Sequence, residues 1–561
     1  MQDIWGRPTR RAYDFIVIGS GSAGSVLAGR LAENPSSRVL LIEAGPSDNH
    51  VFIRMPAALA FPLQSDRFNW RLRSEPEPHL NGRVIEEARG KVLGGSSSIN
   101  GMNWVRGNPW DYDHWAALGN EGWSYAEVLP YFKRSESLDR GANAYRGGTG
   151  PMRIETCPAR GPLYQAFLAA GQQAGLPLVE DANGFRQEGV HVTQRNVGKG
   201  IRWSTARAYL HAAGRRENLH VVTDAFVERM IFSGRRATHV VGAWQGEAFT
   251  VELQGEVLVC AGAMQSPALL MQSGIGRASD LRALGINSIQ DLPGVGEGLK
   301  DHLAAPVSFR APQDASVAKD FSMFGRARLG AQWFLTKSGA GTGNFFEVGA
   351  FVRADNAAPA PDLQFEFIPF LGEFQHGKLS LEAGFQYFFS LLRPTSSGRV
   401  WIDSADPKLP PRFVFNYLDT AQDRETALRA VRIIRSIVGQ PAWAPYRRDE
   451  VLPGSAARSD DEILAALRQI AGTNYHPCCT CRMGQDDMAV VDAKARVHGL
   501  ENIRVVDASI MPEIVSGNLN APVVMMAEKV ADMVAGRSPL PSEAAPYYKA
   551  CQVDNVENTA A

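Results

Sequence analysis

The 561-residue chain reads as an α/β protein whose parallel sheet draws on both ends of the sequence, with a second, strand-rich domain inserted into it. Three observations predict this. A strand–helix–strand unit opens the chain around a glycine-rich turn. Short apolar runs with glycine-rich exits recur in mid-chain and near the C-terminus. Alternating, strand-rich segments lie between them.

The first element is Phe15-Ile16-Val17-Ile18, a continuous apolar run of the kind a buried parallel strand needs. It leads into Gly19-Ser20-Gly21-Ser22-Ala23-Gly24, then a helical pattern through Leu31, then Val39-Leu40-Leu41-Ile42, which ends on Glu43. His50 to Glu87 holds Pro56, Pro62, Pro76 and Pro78 and has poor periodicity, so it reads as a long surface excursion and a candidate lid. Gly90 to Ser98 is a glycine- and serine-rich turn. Glu256 to Cys260 reads as a strand that exits at Gly262. Leu363 to Ile368, Phe385 to Leu392 and Arg399 to Ile402 alternate as strands, and Ile503 to Asp507 is the last strand. No internal repeat is visible, and from Pro539 the chain turns polar and reads as a loosely held tail.

Length and composition bound the rest. At roughly 150 residues per domain the chain has room for three to four domains, or for two large interleaved ones. The hydrophobic fraction of 45% and charged fraction of 21% are those of a soluble globular protein, which excludes a disordered chain, a collagen or a disulfide-dense scaffold. With 58 Lys+Arg against 59 Asp+Glu there is no broad basic field, so no nucleic-acid partner is expected. Six cysteines do not make a secreted disulfide framework. Met1 to Arg7 holds no apolar run of signal-peptide length, and no stretch of 18 apolar residues occurs. The expected location is cytoplasmic, with peripheral membrane contact left open.

Gly19-x-Gly21-x-x-Gly24 alone is a weak signal among 54 glycines. Its context makes it strong, because it follows a strand, opens a helix, and is followed by Glu43 at the end of the next strand. The first glycine allows the tight turn, the second lets a pyrophosphate approach the backbone, and the third lets helix pack on strand. The helix N-terminus then favours the phosphates, and the Glu43 carboxylate accepts the ribose hydroxyls. A 2′-phosphate would meet like charge at Glu43, which argues against NADP and leaves NAD and FAD. Gly294-Val295-Gly296-Glu297-Gly298 has the wrong spacing for a second motif, and a single dinucleotide site favours a self-contained flavin enzyme.

Gly90-Lys91-Val92-Leu93-Gly94-Gly95-Ser96-Ser97-Ser98-Ile99-Asn100 resembles the first signature of the glucose–methanol–choline (GMC) oxidoreductases, and Gly262 to Gly276 resembles the second. Tyr475-His476-Pro477, Val505 to Pro512 and Gly517-Asn518-Leu519-Asn520 fit as well, so the likeness runs in order from Tyr13 to Gly536. Pro76-Glu77-Pro78-His79 and Ile99-Asn100-Gly101-Met102 carry a narrower likeness to bacterial choline dehydrogenases and related primary-alcohol dehydrogenases. The resemblance implies a Rossmann-like FAD-binding domain assembled from residues 12-155, 195-303 and 474-537. It also implies a substrate domain with an antiparallel sheet and flanking helices over 156-194 and 304-473, leaving 538-561 as a tail. It places Gly94, Gly95, Ser96, Asn100, Val227, Asp507 and Asn520 against the cofactor, beside Gly19, Gly21, Gly24 and Glu43. Some relatives attach FAD through a histidine where this chain has Ile99, so the FAD here is expected to be non-covalent.

Oxidising an alcohol by hydride transfer requires a group that takes the hydroxyl proton, and histidine suits that task. By resemblance His476 is this base or hydrogen-bond partner, Asn518 orients the oxygen, and Tyr475 and Glu347 contact substrate. In choline-oxidising relatives a carboxylate at the position of Glu347 faces the trimethylammonium group, but relatives acting on neutral alcohols also carry a glutamate there. A buried, paired structural carboxylate is the competing reading of Glu347. Cys478-Cys479-Thr480-Cys481 contains a C-x-x-C that offers a zinc or redox reading, yet no second pair exists and no metal is expected. The expected activity is oxidation of choline to betaine aldehyde with a non-oxygen electron acceptor, for which a quinone or a respiratory chain is open. The alternatives are a medium-chain alcohol dehydrogenase, an oxidase producing hydrogen peroxide, a lyase or photodecarboxylase on the same fold, and a flavin-bearing protein without turnover.

Overall fold

The computed structural model describes residues 12–550, apart from 212, 214, 215, 376 and 377. The elements that position the site are, in chain order, β1 (Tyr13–Ile18), α1 (Ser22–Leu31), β2 (Val39–Ile42), β3 (Gly189–Val192), β4 (Leu219–Val222), β5 (Ala225–Ser233), β6 (Arg236–Trp244), β7 (Glu247–Val259), α2 (Gly262–Gln272), β8 (Leu303–Arg310), α3 (Met323–Thr336), β9 (Val348–Val352), β10 (Leu363–Ile368), β11 (Gly384–Leu391), β12 (Ile503–Val505) and α4 (Asn520–Val534).

The first sheet runs β4-β2-β1-β7-β6-β5, with β12 paired to β7. Its β4, β2, β1, β7 and β12 are parallel, and the pairs Ile16–Leu40, Ile16–Val257 and Val259–Val505 show how both chain ends enter one sheet. Every side chain of β2 is buried, as an apolar run covered on both faces requires. α1 and α4 pack against each other on this sheet, joined by the Arg30–Glu528 ion pair at 2.8 Å.

The second sheet contains β8-β11-β10-β9-β3 in antiparallel order, with short strands at Leu178–Val179, Glu450–Leu452 and Gly472–Thr473 along its edges. The period of two in its strands divides labour between the faces. In β10, Leu363, Phe365 and Phe367 enter the apolar core, while Gln364, Glu366 and Ile368 turn the other way. In β11 the core takes Phe385, Tyr387 and Phe389, which leaves Phe388 on the second face. Two large apolar cores result, one under the parallel sheet and one under the antiparallel sheet, with smaller clusters beside them.

Two expectations need correction. The 50–87 segment is only in part a surface excursion: Phe52 and Phe61 are exposed, but Ile53, Leu72, Leu80 and Ile85 are buried, and Glu77 is fully buried with Oε1 accepting from Phe415 N at 2.8 Å. Short helices at Val51–Arg54 and Ala60–Leu63 and a Leu72–Arg73/Glu86–Glu87 hairpin give it regular structure. The chain from Arg537 to Ala550 is not loosely held either. Glu543 N donates to Ala126 O at 2.9 Å, and Tyr547 OH to Asp113 Oδ2 at 2.6 Å. The rest of the expected tail, with Cys551, lies outside the described residues. The strand expected at Arg399 to Ile402 is present as Gly398–Trp401, in a small separate sheet with Glu297–Leu299 and Arg412–Val414.

Candidate active site

A cavity of about 840 Å³ runs between the two sheets. At one end the three motif glycines divide their tasks as the sequence predicts. Gly19 has φ +94°, and a Cβ there would lie 2.5 Å from Cys260 O. A Cβ on Gly24 would lie 1.8 Å from Gly19 O, so helix and strand touch through it. Gly21 has no atom within 4 Å of a Cβ position and sits on the cavity wall, which leaves room for a ligand against its backbone. Gly95, with φ +52°, comes so close that its Cβ would lie 2.7 Å from Gly21 Cα.

Three helices, α1, α2 and α4, begin at this wall; none is capped by its own N-cap side chain, and at α2 the Gly262 N–H goes to the Asp507 carboxylate. Some helices elsewhere are capped through boxes such as Ser124/Glu127 and Ser459/Glu462, while Pro162–Gln173 is not. The N–H groups without a side-chain cap at α1 and α4 favour negative charge at this wall. Asn520, the first residue of α4, accepts from Ser22 Oγ at 2.7 Å while its buried Nδ2 has no protein partner. Glu43 is buried, its Oε2 accepting from Ser20 N at 3.0 Å and Ser20 Oγ at 2.6 Å, and its Oε1 from Gly45 N at 2.8 Å. Asp507 accepts from Gly262 N at 2.8 Å and Ser266 Oγ at 2.6 Å, fixing the start of α2. Ser96, Asn100, Val227 and Asp507 all face the cavity, and Ile99 is buried on its wall. Gly94 stays behind the wall, where its φ of +87° shapes the turn. Negative-charge-seeking helix ends, a glycine with open space and an orphaned buried amide fit a dinucleotide such as FAD.

The opposite end carries the polar cluster. His476 Nε2 lies 3.2 Å from Asn518 Nδ2, and both side chains line the cavity. Asn518 is held on two sides, by Gln364 Nε2 donating to its Oδ1 at 3.2 Å and by its own Nδ2 donating to Glu366 Oε1 at 3.4 Å. Glu366 also accepts from Asn103 Nδ2 at 2.7 Å and Asn474 Nδ2 at 3.2 Å. Burial pushes the Glu366 carboxyl up, and the three amides oppose that shift. Behind His476, His302 Nδ1 lies 3.0 Å from His476 Nδ1. The His476 backbone N donates to Asp301 Oδ1 at 2.7 Å, and the other Asp301 oxygen accepts from Thr473 Oγ1 at 2.6 Å and from Tyr417 OH. Burial, then His302 and Arg89, pull His476 well below the usual histidine range, and burial brings His302 down to about 3. Tyr475 and Met102 on the wall hold left-handed backbones at φ +63° and +66°, a strain that aims the flanking residues.

Sequence reading missed His302, Glu366, Gln364 and Asn103. The alternation in Leu363-Gln364-Phe365-Glu366-Phe367 was the available signal for two of them, because period two puts both polar residues on one face. Glu347 needs a correction. Its neighbour Phe346 lines the cavity, but Glu347 does not; its carboxylate lies 4.0 Å from Arg195 and takes backbone hydrogen bonds from Ala159 and Arg160. Consecutive strand-like residues point to opposite sides, so the aromatic and the carboxylate cannot both face substrate. Cys478 Sγ and Cys479 Sγ are buried 3.2 Å apart, and no group of three metal-ligating side chains occurs among the described residues.

The GMC oxidoreductase family profile matches residues 13–304 with its N-terminal part and 394–527 with its C-terminal part. The chain is 46% identical over 548 residues to the oxygen-dependent choline dehydrogenase of Xanthomonas campestris pv. campestris (strain B100), covering 96% of this chain and 99% of that one. It is 46% identical over 543 residues to the oxygen-dependent choline dehydrogenase of Yersinia pseudotuberculosis serotype IB (strain PB1/+), covering 96% of each. Among solved structures, pyridoxine 4-oxidase from Mesorbium loti superposes with a TM-score of 0.84 at 34% identity, over 94% of this chain and 100% of that one. Formate oxidase from Aspergillus oryzae RIB40 gives 0.88 at 26%, over 94% and 99%.

Proposed function

The chain belongs to the GMC oxidoreductases, and on that premise we propose that it oxidises choline to betaine aldehyde with a non-covalently held FAD. The observation that carries the reading is the His476–Asn518 pair, 3.2 Å apart on a cavity whose far end suits a dinucleotide. Bound FAD supplies the hydride acceptor. Gly19, Gly21, Gly95 and Asn520 would hold it, with Glu43 towards the ribose, and Ile99 offers no atom for a covalent link. The division into an FAD-binding domain and a substrate domain at the boundaries given above is part of this proposal, and the two separate apolar cores support it.

Within the chain the chemistry follows from charge state and geometry. Neutral His476 presents Nε2 to the substrate hydroxyl and takes its proton. Asn518 donates an N–H to the same oxygen and stabilises the charge that develops there. Glu366 and Gln364 fix both ends of the Asn518 amide, so its donor is aimed before substrate arrives. Glu366 is also the carboxylate that reaches this end of the cavity, beside Phe346 and Phe388. A carboxylate with aromatic neighbours suits a quaternary ammonium through charge and cation–π attraction. Water is excluded by the apolar wall formed from Ala304, Pro306 and Ile368.

The acceptor of the electrons is proposed to be other than oxygen, of the quinone class. A second reading, oxygen as acceptor with hydrogen peroxide as product, is favoured by the words "oxygen-dependent" in the names of the relatives. Anaerobic mixing of the yellow holoenzyme with choline tests the first half-reaction. Bleaching of the flavin band is expected, and its absence with choline and with a panel of primary alcohols would overturn the reading. Peroxide formed on admitting air distinguishes the acceptors.

A further inference from the structure

Among the described residues Arg202 is a buried cation without an anion. It ends the two-residue strand Ile201–Arg202, which pairs with Val197–Gly198, and it is 2% exposed. Its hydrogen bonds go to oxygens of neutral groups. Nε donates to Ile53 O at 3.0 Å, and Nη1 to Ser97 O at 3.4 Å, Asn100 O at 2.7 Å and Asn100 Oδ1 at 2.9 Å. Nη2 is buried and has no partner among the described residues. Burial alone pulls the Arg202 pKa down to about 9, and no acid among the described residues opposes the shift. Other buried arginines are paired: Arg106 and Arg146 share Glu136, and Arg195 meets Glu155. An unpaired charge is expensive to bury, which calls for an anion close by in the working protein.

The cation stands one residue behind the cavity, since Asn100 lines the wall and Arg202 does not. The amide oxygen of Asn100 is taken twice, by Arg202 Nη1 and by Met102 N at 3.0 Å. This turns the amide so that Nδ2, a donor, is left for the cavity. The wall segment also fixes where Asn100 lies. At one end Gly95 packs against Gly21 of the dinucleotide turn. At the other, Asn103 Nδ2 donates at 2.7 Å to Glu366, which holds Asn518. Asn100 is three residues from Asn103, at most about 11 Å of chain. It therefore faces the part of the cavity next to the His476–Asn518 pair, where the reacting ring of a bound flavin has to lie.

We propose that Arg202 is a positioning residue for FAD: it holds Asn100 with its N–H towards the flavin ring, and its unpaired charge favours the reduced form of that ring. The inference rests on the reading of the site as one for FAD-dependent alcohol oxidation. In that reaction the C–H bond of the alcohol breaks with both electrons going to the flavin, and the hydroxyl proton goes to His476. The ring thus gains one negative charge. A fixed cation in a dry site stabilises that charge and has little to act on in the neutral oxidised ring. Arg202 therefore raises the midpoint potential of the bound cofactor. A guanidinium that only held the carbonyls at the end of the Gly95–Ser98 turn would leave the potential where it is.

The midpoint potential of FAD in the holoenzyme, read against a reference dye during slow anaerobic reduction, tests this without any alcohol. Arg202→Met removes the charge at similar length. The preference of the protein for reduced over oxidised FAD should fall about tenfold or more, which lowers the potential by about 30 mV for a two-electron couple. Arg202→Lys keeps a charge there and should recover most of the shift. Asn100→Ala should weaken FAD binding in the wild type and should do so less in Arg202→Met, where the amide is already released. Asn100→Asp sets a carboxylate against Nη1 and cancels the charge without a change of shape. It should lower the potential too, and it decides the matter if Arg202→Met does not fold. Retained FAD at the wild-type potential in Arg202→Met or in Asn100→Asp would overturn the inference and leave the reading of the site standing. A wild type that takes up no FAD would overturn both.

Discussion

His302 and His476 face each other through their Nδ1 atoms, 3.0 Å apart, with the two rings nearly perpendicular. Only one of the two nitrogens can carry the proton of that hydrogen bond while both rings are neutral, and burial keeps both neutral. For His476 Nε2 to accept a proton from substrate, His476 must hold its own proton on Nδ1 and donate it to His302. In the proposed mechanism His302 is thus a positioning residue that selects the reactive tautomer of His476.

His302→Phe removes the acceptor and leaves the His476 tautomer unselected. The limiting rate of flavin reduction should fall about ten- to a hundredfold, the scale seen when an outer partner that orients a histidine is lost. His302→Asn offers an amide oxygen in a similar place and should recover part of the rate. FAD content should be unchanged in both. Rates equal to wild type in His302→Phe would remove His302 from the mechanism.

The pH dependence follows from the direction of the His476 shift. Burial, His302 and Arg89 all disfavour the imidazolium, so the folded value lies below the ordinary 6.5 or so. The proposed base is therefore already deprotonated at neutral pH. Stopped-flow reduction should be flat from about pH 8 to 6.5 and should decline only on further acidification. A rate that rises steeply between pH 7 and 8 would mean that another group is the base. His476→Ala should lower the plateau by roughly 100-fold or more.

The difference between what was legible in the sequence and what was not has a physical origin. Features carried by local backbone are legible directly, as with Gly19, Gly21 and Gly24 in one turn, and His476 and Asn518, which the resemblance singles out, meet on the cavity wall. Glu366 and Gln364 are different. Their role depends on which face of β10 meets the cavity, and that is decided by pairing with β11 and β9, far away in the chain. Glu347 was misplaced for the same reason, since resemblance locates a residue along the chain but not the direction of its side chain. The 50–87 segment reads as surface because proline breaks its periodicity, and part of it is exposed, but long-range bonds such as Glu77 to Phe415 hold the rest against the core.

Cofactor retention gives a third test. Ile99 cannot bond covalently, so acid precipitation of the holoenzyme should release all yellow colour into the supernatant. Asn520 Nδ2 is buried without a protein partner beside the uncapped start of α4. Asn520→Ala should weaken FAD binding by about tenfold, the worth of one hydrogen bond of about 1.4 kcal/mol. Titration of apoprotein with FAD measures it, and unchanged affinity would detach Asn520 from the cofactor.

The substrate is tested through Glu366. Choline carries a fixed cation, and 3,3-dimethylbutan-1-ol is a neutral molecule of nearly the same shape. Glu366→Gln removes the charge but also disturbs the amides of Asn103, Asn474 and Asn518 that now donate to it. That disturbance affects both alcohols alike, since both present the same hydroxyl to Asn518. The loss of charge affects choline alone. A charge-assisted contact contributes about 1.5–3 kcal/mol, so the choline to dimethylbutanol affinity ratio should fall on the order of 10- to 100-fold in Glu366→Gln. The sign of the pH effect agrees. Burial raises the Glu366 pKa, so acidification protonates it sooner than an exposed glutamate and should weaken choline binding while sparing the neutral isostere. Glu347→Gln, which leaves the cavity wall intact, should barely change the ratio. A ratio that collapses in Glu347→Gln and persists in Glu366→Gln would return the cation contact to Glu347. A wild type that binds the neutral isostere at least as well as choline would replace choline with an aliphatic alcohol, because the Glu366 carboxylate would then be serving only to hold Asn518.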